Sequence, residues 1–100
     1  MKFVKSVVLA VAITCSVSAY AQGVEEVCHR SAETNVRLKN VMQRDPSFLE
    51  FALSELAKAK ITEKTKAQGR ENYYWVFNRR TMSDEDIRRL SFIGCLVRLS

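Results

Sequence analysis

The chain has 100 residues, with 16 Lys and Arg against 11 Asp and Glu, a formal net charge of +5, three Cys, three Gly and a single Pro. That length holds one small domain and excludes a multidomain enzyme. With 47% hydrophobic residues and no low-complexity tract, it also excludes a disordered polypeptide.

The first element is an address. Met1-Lys2-Phe3-Val4-Lys5 carries two positive charges, Val7 to Cys15 carries none, and Ala19-Tyr20-Ala21 supplies a small-x-small triplet. A basic leader, a short apolar run and such a triplet predict a secretory signal peptide over residues 1–21, with cleavage before Gln22. The apolar run is shorter than the ~20 residues that a membrane anchor needs. Lipidation at Cys15 would need a small residue just before it, and Ile13-Thr14 fits poorly. Cys15 therefore departs with the leader, which leaves Cys28 and Cys95 as the expected disulfide in an oxidising compartment, periplasmic or secreted. The domain is then residues 22–100, which keep 14 Lys and Arg against all 11 acids. So short a chain buries only about 60% of its unfolded surface and is marginal without a staple.

Four helices are expected in residues 22–100. From Val24 to Arg44, Val24, Val27, Cys28, Ala32, Val36, Val41 and Met42 form one broad stripe at helical spacing. Asp45-Pro46 offers a capping side chain followed by proline at a first helical position. A second helix follows to about Ile61 with the stripe Phe48, Leu49, Ala52, Leu53, Leu56. Ser83-Asp84-Glu85-Asp86 reads as a capping box that opens the last helix, whose expected buried face is Ile87, Leu90, Ile93, Gly94 and Val97.

The segment from Arg70 to Arg80 fits either strand or helix, and aromatic propensity leans to strand. The expected disulfide decides otherwise. In an up-and-down bundle the start of the first helix lies beside the end of the last only when the helix count is even. Three helices would place Cys28 and Cys95 at opposite ends of a bundle about 25–30 Å long, beyond the ~7 Å Cα limit of a disulfide. A third helix is therefore expected, beginning between Thr62 and Arg70, ending near Arg80 and frayed or kinked near Gly69. The fold class is all-α, a four-helix up-and-down bundle stapled between first and last helices.

Little in the sequence carries catalytic chemistry. Cys28 and His29 are helix neighbours about 100° apart and do not face each other. Two thiols and one His make at most three metal ligands, without close spacing. Asp84, Glu85 and Asp86 read as a helix start rather than an acid–base pair. No catalytic residue, metal or cofactor is assigned. Tyr73, Tyr74, Trp75 and Phe77 between Arg70 and Arg79-Arg80 have the composition of a single-strand nucleic-acid platform, but export argues against that partner. The same segment reads as a helix with Tyr73, Val76 and Phe77 in the core and Tyr74, Trp75, Arg79 and Arg80 available to a protein partner. The lysines Lys58, Lys60, Lys64 and Lys66 read as a solvated face.

A cysteine soon after the cleavage site, Met42-Gln43-Arg44-Asp45, Trp75-Val76-Phe77, Ser83 to Asp86 and a closing Gly94-Cys95-Leu96 together resemble small exported single-disulfide helical proteins of proteobacteria. The resemblance implies a helical periplasmic domain and brings no activity with it. Two function classes stand side by side: a protein-binding module of inhibitor, immunity or chaperone-like type, and an accessory or catalytic component of a cell-envelope enzyme system or an anchored structural protein. Intact-mass spectrometry of the protein isolated from its host should find an N-terminus at or within two residues of Gln22 and no lipid adduct; a retained leader contradicts the export reading.

Overall fold

The computed structural model describes residues 5–100, with side chains from Gly23 onward. The expected leader and its cleavage site lie outside the residues whose side chains are described. The described chain forms four helices and no strand: α1 (Lys5–Arg44), α2 (Phe48–Lys58), α3 (Glu63–Asn78) and α4 (Asp84–Leu99). Among the described residues no helix is long and apolar enough to cross a membrane. The α1 helix begins upstream of the expected Val24, because no proline or cap separates the apolar leader from the amphipathic stretch after it.

The caps explain the helix starts. Ser83 accepts a hydrogen bond from the Asp86 amide at 3.1 Å, as its sequence context predicts, and Thr62 does the same for the Thr65 amide and opens α3. Asp45 instead binds the Ser47 amide and hydroxyl, so Pro46 and Ser47 form a turn and α2 starts at Phe48. The α2 helix also ends earlier than expected, at Lys58. The Lys66 ammonium reaches back to the Ala57 carbonyl at 2.7 Å and satisfies one of the carbonyls that a helix C-terminus leaves free. A lysine that reads as solvated is thus part of the α2–α3 junction.

The α1 and α4 helices run antiparallel along a seam that is tied at both ends. At one end Cys28 and Cys95 are disulfide-bonded, their Cα atoms 5.4 Å apart across 67 residues of sequence. At the other the Lys39 ammonium, only 3% of the residue being exposed, pairs with the Asp84 carboxylate in the first turn of α4. Between them Arg88 binds Glu33, and the His29 ring stacks on Phe92 with centroids 4.3 Å apart. The even helix count brings the staple together as expected, and the segment Arg70 to Arg80 is helical to Asn78.

The α2–α3 hairpin closes on the C-terminal half of α1. Met42, Leu49 and Val76 are buried at its centre, with Leu38, Phe48, Leu53, Tyr73, Trp75 and Phe77 packed around them. The α3 helix is unbroken through Gly69, without the expected fray. The glycine instead permits close approach by α2: a Cβ there would lie 2.9 Å from Leu56 Cδ2.

The expected buried face of α4 is corrected. Ile87, Ser91 and Cys95 face the seam, whereas Leu90, Ile93 and Val97 are exposed, Val97 by 69%. The reason is that α4 packs on α1 along one line and neither α2 nor α3 covers its other side. A Cys28→Ser, Cys95→Ser variant should keep its helical circular dichroism while losing about 4 kcal/mol of unfolding free energy in a denaturant titration; a loss below about 1 kcal/mol contradicts a stapling role.

Candidate functional site

Two surfaces emerge, one on the aromatic end of α3 and one between α3 and the α1–α4 pair. At the end of α3, Tyr74 is 48% exposed. The Arg79 guanidinium lies over the Trp75 ring, 4.4 Å from its centroid, and donates to the Trp75 carbonyl at 3.2 Å. Arg80 repeats the arrangement on Phe77, at 4.0 Å from the ring and 2.9 Å from the Phe77 carbonyl. At about 100° per residue, Tyr74 falls between Trp75 and Phe77 around the helix, so each side of it carries an aromatic ring capped by a guanidinium.

These contacts hold both arginines in place while they satisfy the last carbonyls of α3, which has no other basic residue in its final turn. Trp75 is half-buried and packs on the core cluster, as do Tyr73 and Phe77, so among the four expected contact residues it is also structural.

The second surface is a groove of about 750 Å³. It exists because α3 touches the α1–α4 seam only toward its C-terminal end, where Val76 enters the core. Its N-terminal half leans toward α2, drawn by Lys66 and Gly69. Gln68, Glu71 and Trp75 line the α3 wall, and Leu90, Gly94 and Arg98 line the α4 wall. The floor is polar. Asn35 is 4% exposed; its amide donates to Ser91 Oγ at 3.1 Å and to Asn72 Oδ1 at 3.2 Å, and Asn72 donates back at 3.0 Å. One residue from each of three helices is thereby locked at a single level, as a buried Asn fixes register in a helical seam.

Cys28 is fully buried and its sulfur is bonded to Cys95, while the imidazole of His29 is taken by Phe92. Among the described residues no group of three His, Cys, Asp or Glu is gathered for a metal ion. Two carboxylates carry perturbed acidities: the Arg88 hydrogen bond holds Glu33 below the ordinary carboxylate range, and the Lys39 hydrogen bond does the same for Asp84. The groove was not readable from sequence, because Val27, Leu90 and Gly94 sit in apolar stripes that look like core until the neighbouring helices are placed.

No family model, curated protein or solved structure matches this chain.

The two depressed carboxylates set an acid limit. A group whose folded pKa lies below its unfolded value stabilises the fold above the unfolded value, about 4, and loses that contribution as pH falls through the folded value. The melting temperature should therefore be nearly flat from pH 7 to pH 5 and decline below about pH 4. In Asp84→Asn the decline should be shallower and start from a lower plateau, because Lys39 stays buried without its countercharge. A decline of unchanged steepness would remove Asp84 from the seam's acid response.

Proposed function

We propose that the protein is a small exported helical module, periplasmic or secreted, that binds another protein through the aromatic and arginine-rich end of α3. The observation that supports this reading most is the pair of guanidinium groups fixed over Trp75 and Phe77 on either side of exposed Tyr74. Interface hot spots are enriched in Trp, Tyr and Arg. Side chains already held in one conformation lose little entropy on binding. Arg79 and Arg80 each use one terminal nitrogen internally, which leaves further N–H groups for the carboxylates of an acidic partner. Inhibitor, immunity and chaperone-like roles all fit such a module.

Affinity capture from the envelope with the tagged protein should recover one stoichiometric partner. Tyr74→Ala should weaken that complex tenfold or more with little change in melting temperature, since the side chain is not packed in the core. Trp75→Ala should lower both affinity and stability. Undiminished capture by Tyr74→Ala would remove this surface from the binding function.

A further inference from the structure

We infer that the groove and the uncovered face of α4 together form a self-association surface, and that the occupant of the groove is α4 of a second copy related by a twofold axis near Gly94. The inference does not rest on the partner reading of α3: the two surfaces share Trp75, but Tyr74 lies outside the groove.

The first argument is shape. Leu90 and Gly94 line the groove, and Ile93 and Val97 stand beside it as an exposed apolar ridge, 50% and 69% accessible. These residues follow the i, i+3, i+4, i+7 pattern of a helix-packing stripe, and among the described residues nothing covers Leu90, Ile93 and Val97, which remain exposed. A ridge and a groove side by side on one surface are self-complementary: a twofold places each ridge in the other copy's groove.

The second argument is the glycine. Glycine in a helix interior costs stability relative to alanine. At Gly94 a Cβ would meet nothing within 4 Å, so none of the described residues requires its absence. Close approach of a second helix at that point does.

The third is charge. Glu71 and Arg98 both line the groove, and among the described residues neither has an ion-pair partner. The hydrogen bonds Asn72–Asn35–Ser91 place Glu71 near the level of Ser91. Arg98 lies seven residues further along α4, about 10 Å at 1.5 Å per residue. In an antiparallel pair centred on Gly94, position 98 of one copy falls opposite position 90 of the other. Arg98 of each chain then reaches the level of Glu71 in its partner, and two groups unpaired in one chain become two symmetric ion pairs.

Sedimentation equilibrium of the protein isolated with its disulfide intact should show a reversible monomer–dimer equilibrium. Glu71→Arg and Arg98→Glu should each weaken the dimer at least tenfold, and the double variant should recover to within about threefold of the parent, because it restores the pairs with reversed sign. Gly94→Leu should abolish the dimer while circular dichroism and the monomer's melting temperature are retained. A monomer at all concentrations up to about 1 mM overturns the inference, as does a double variant that associates no better than either single variant. A monomer that still captures a partner through Tyr74 overturns self-association and leaves the proposed function standing. A dimer in which Gly94→Leu and both charge reversals have no effect overturns the assignment of this surface.

Discussion

The fold depends on one antiparallel pairing, α1 against α4, and on how that pairing is held. A seam between two helices in so small a domain has little apolar surface to give. Its buried positions include Cys28, Asn35, Lys39, Ser91 and Cys95 alongside Ala32, Val36 and Ile87. A covalent bond at one end, a buried ammonium with its carboxylate at the other and an amide–hydroxyl contact between them do work that methyl groups do in larger cores. Polar pairs are directional in a way apolar contacts are not. Sliding α4 by one turn would break Lys39–Asp84, Asn35–Ser91 and Glu33–Arg88 together, which makes the register expensive to change even though the seam is not rich in hydrophobic contact.

The α2–α3 hairpin is built on the opposite principle. Its cluster of Met42, Leu49 and Val76 is apolar, and the aromatics Phe48, Tyr73, Trp75 and Phe77 enclose it from one side. The two principles meet at Asn72, which sits on α3 yet bonds into the polar seam. Below that level α3 belongs to α2 rather than to the seam, and the groove is the space between the two allegiances. The half-buried, arginine-capped rings and the groove thus share an origin: α3 serves two neighbours and is fully covered by neither.

Much of this was legible in the sequence, and the failures have a common cause. Ser83 to Asp86 named a helix start at which Ser83 caps the Asp86 amide as expected, with the Asp86 carboxylate bonded to Arg89, and the cysteine count with helix parity turned an ambiguous aromatic segment into α3. Both are local or topological constraints, independent of how helices are rotated. What escaped depends on rotation and covering. The stripe Leu90, Ile93, Val97 announces an apolar face without saying what lies against it. Asn35, Asn72 and Ser91 carry no sequence signal, because nothing along the chain marks them as one another's partners. Lys66 reads as solvent-facing for the same reason, although its ammonium caps α2, and nothing in the sequence marks Lys39 as the ammonium buried in the seam. For the end of α3 the composition singled out Tyr74, Trp75, Arg79 and Arg80, but only the coordinates give the stacking that fixes the arginines.

The way Lys66 holds the end of α2 has a consequence for how the domain opens. The α2 helix fully buries only Leu49 and Ala52, and its C-terminal carbonyls are met by the Ala59 amide, which donates to the Leu56 carbonyl, and by Lys66 from α3, which donates to the Ala57 carbonyl. Releasing the Lys66 contact and the Leu56–Gly69 packing loosens the last turn of α2 without disturbing any bond in the α1–α4 seam. The molecule is therefore graded in its cooperativity: a low-cost opening of α2 uncovers the apolar cluster around Met42, while the cross-linked pair of helices persists as the template on which α2 closes again.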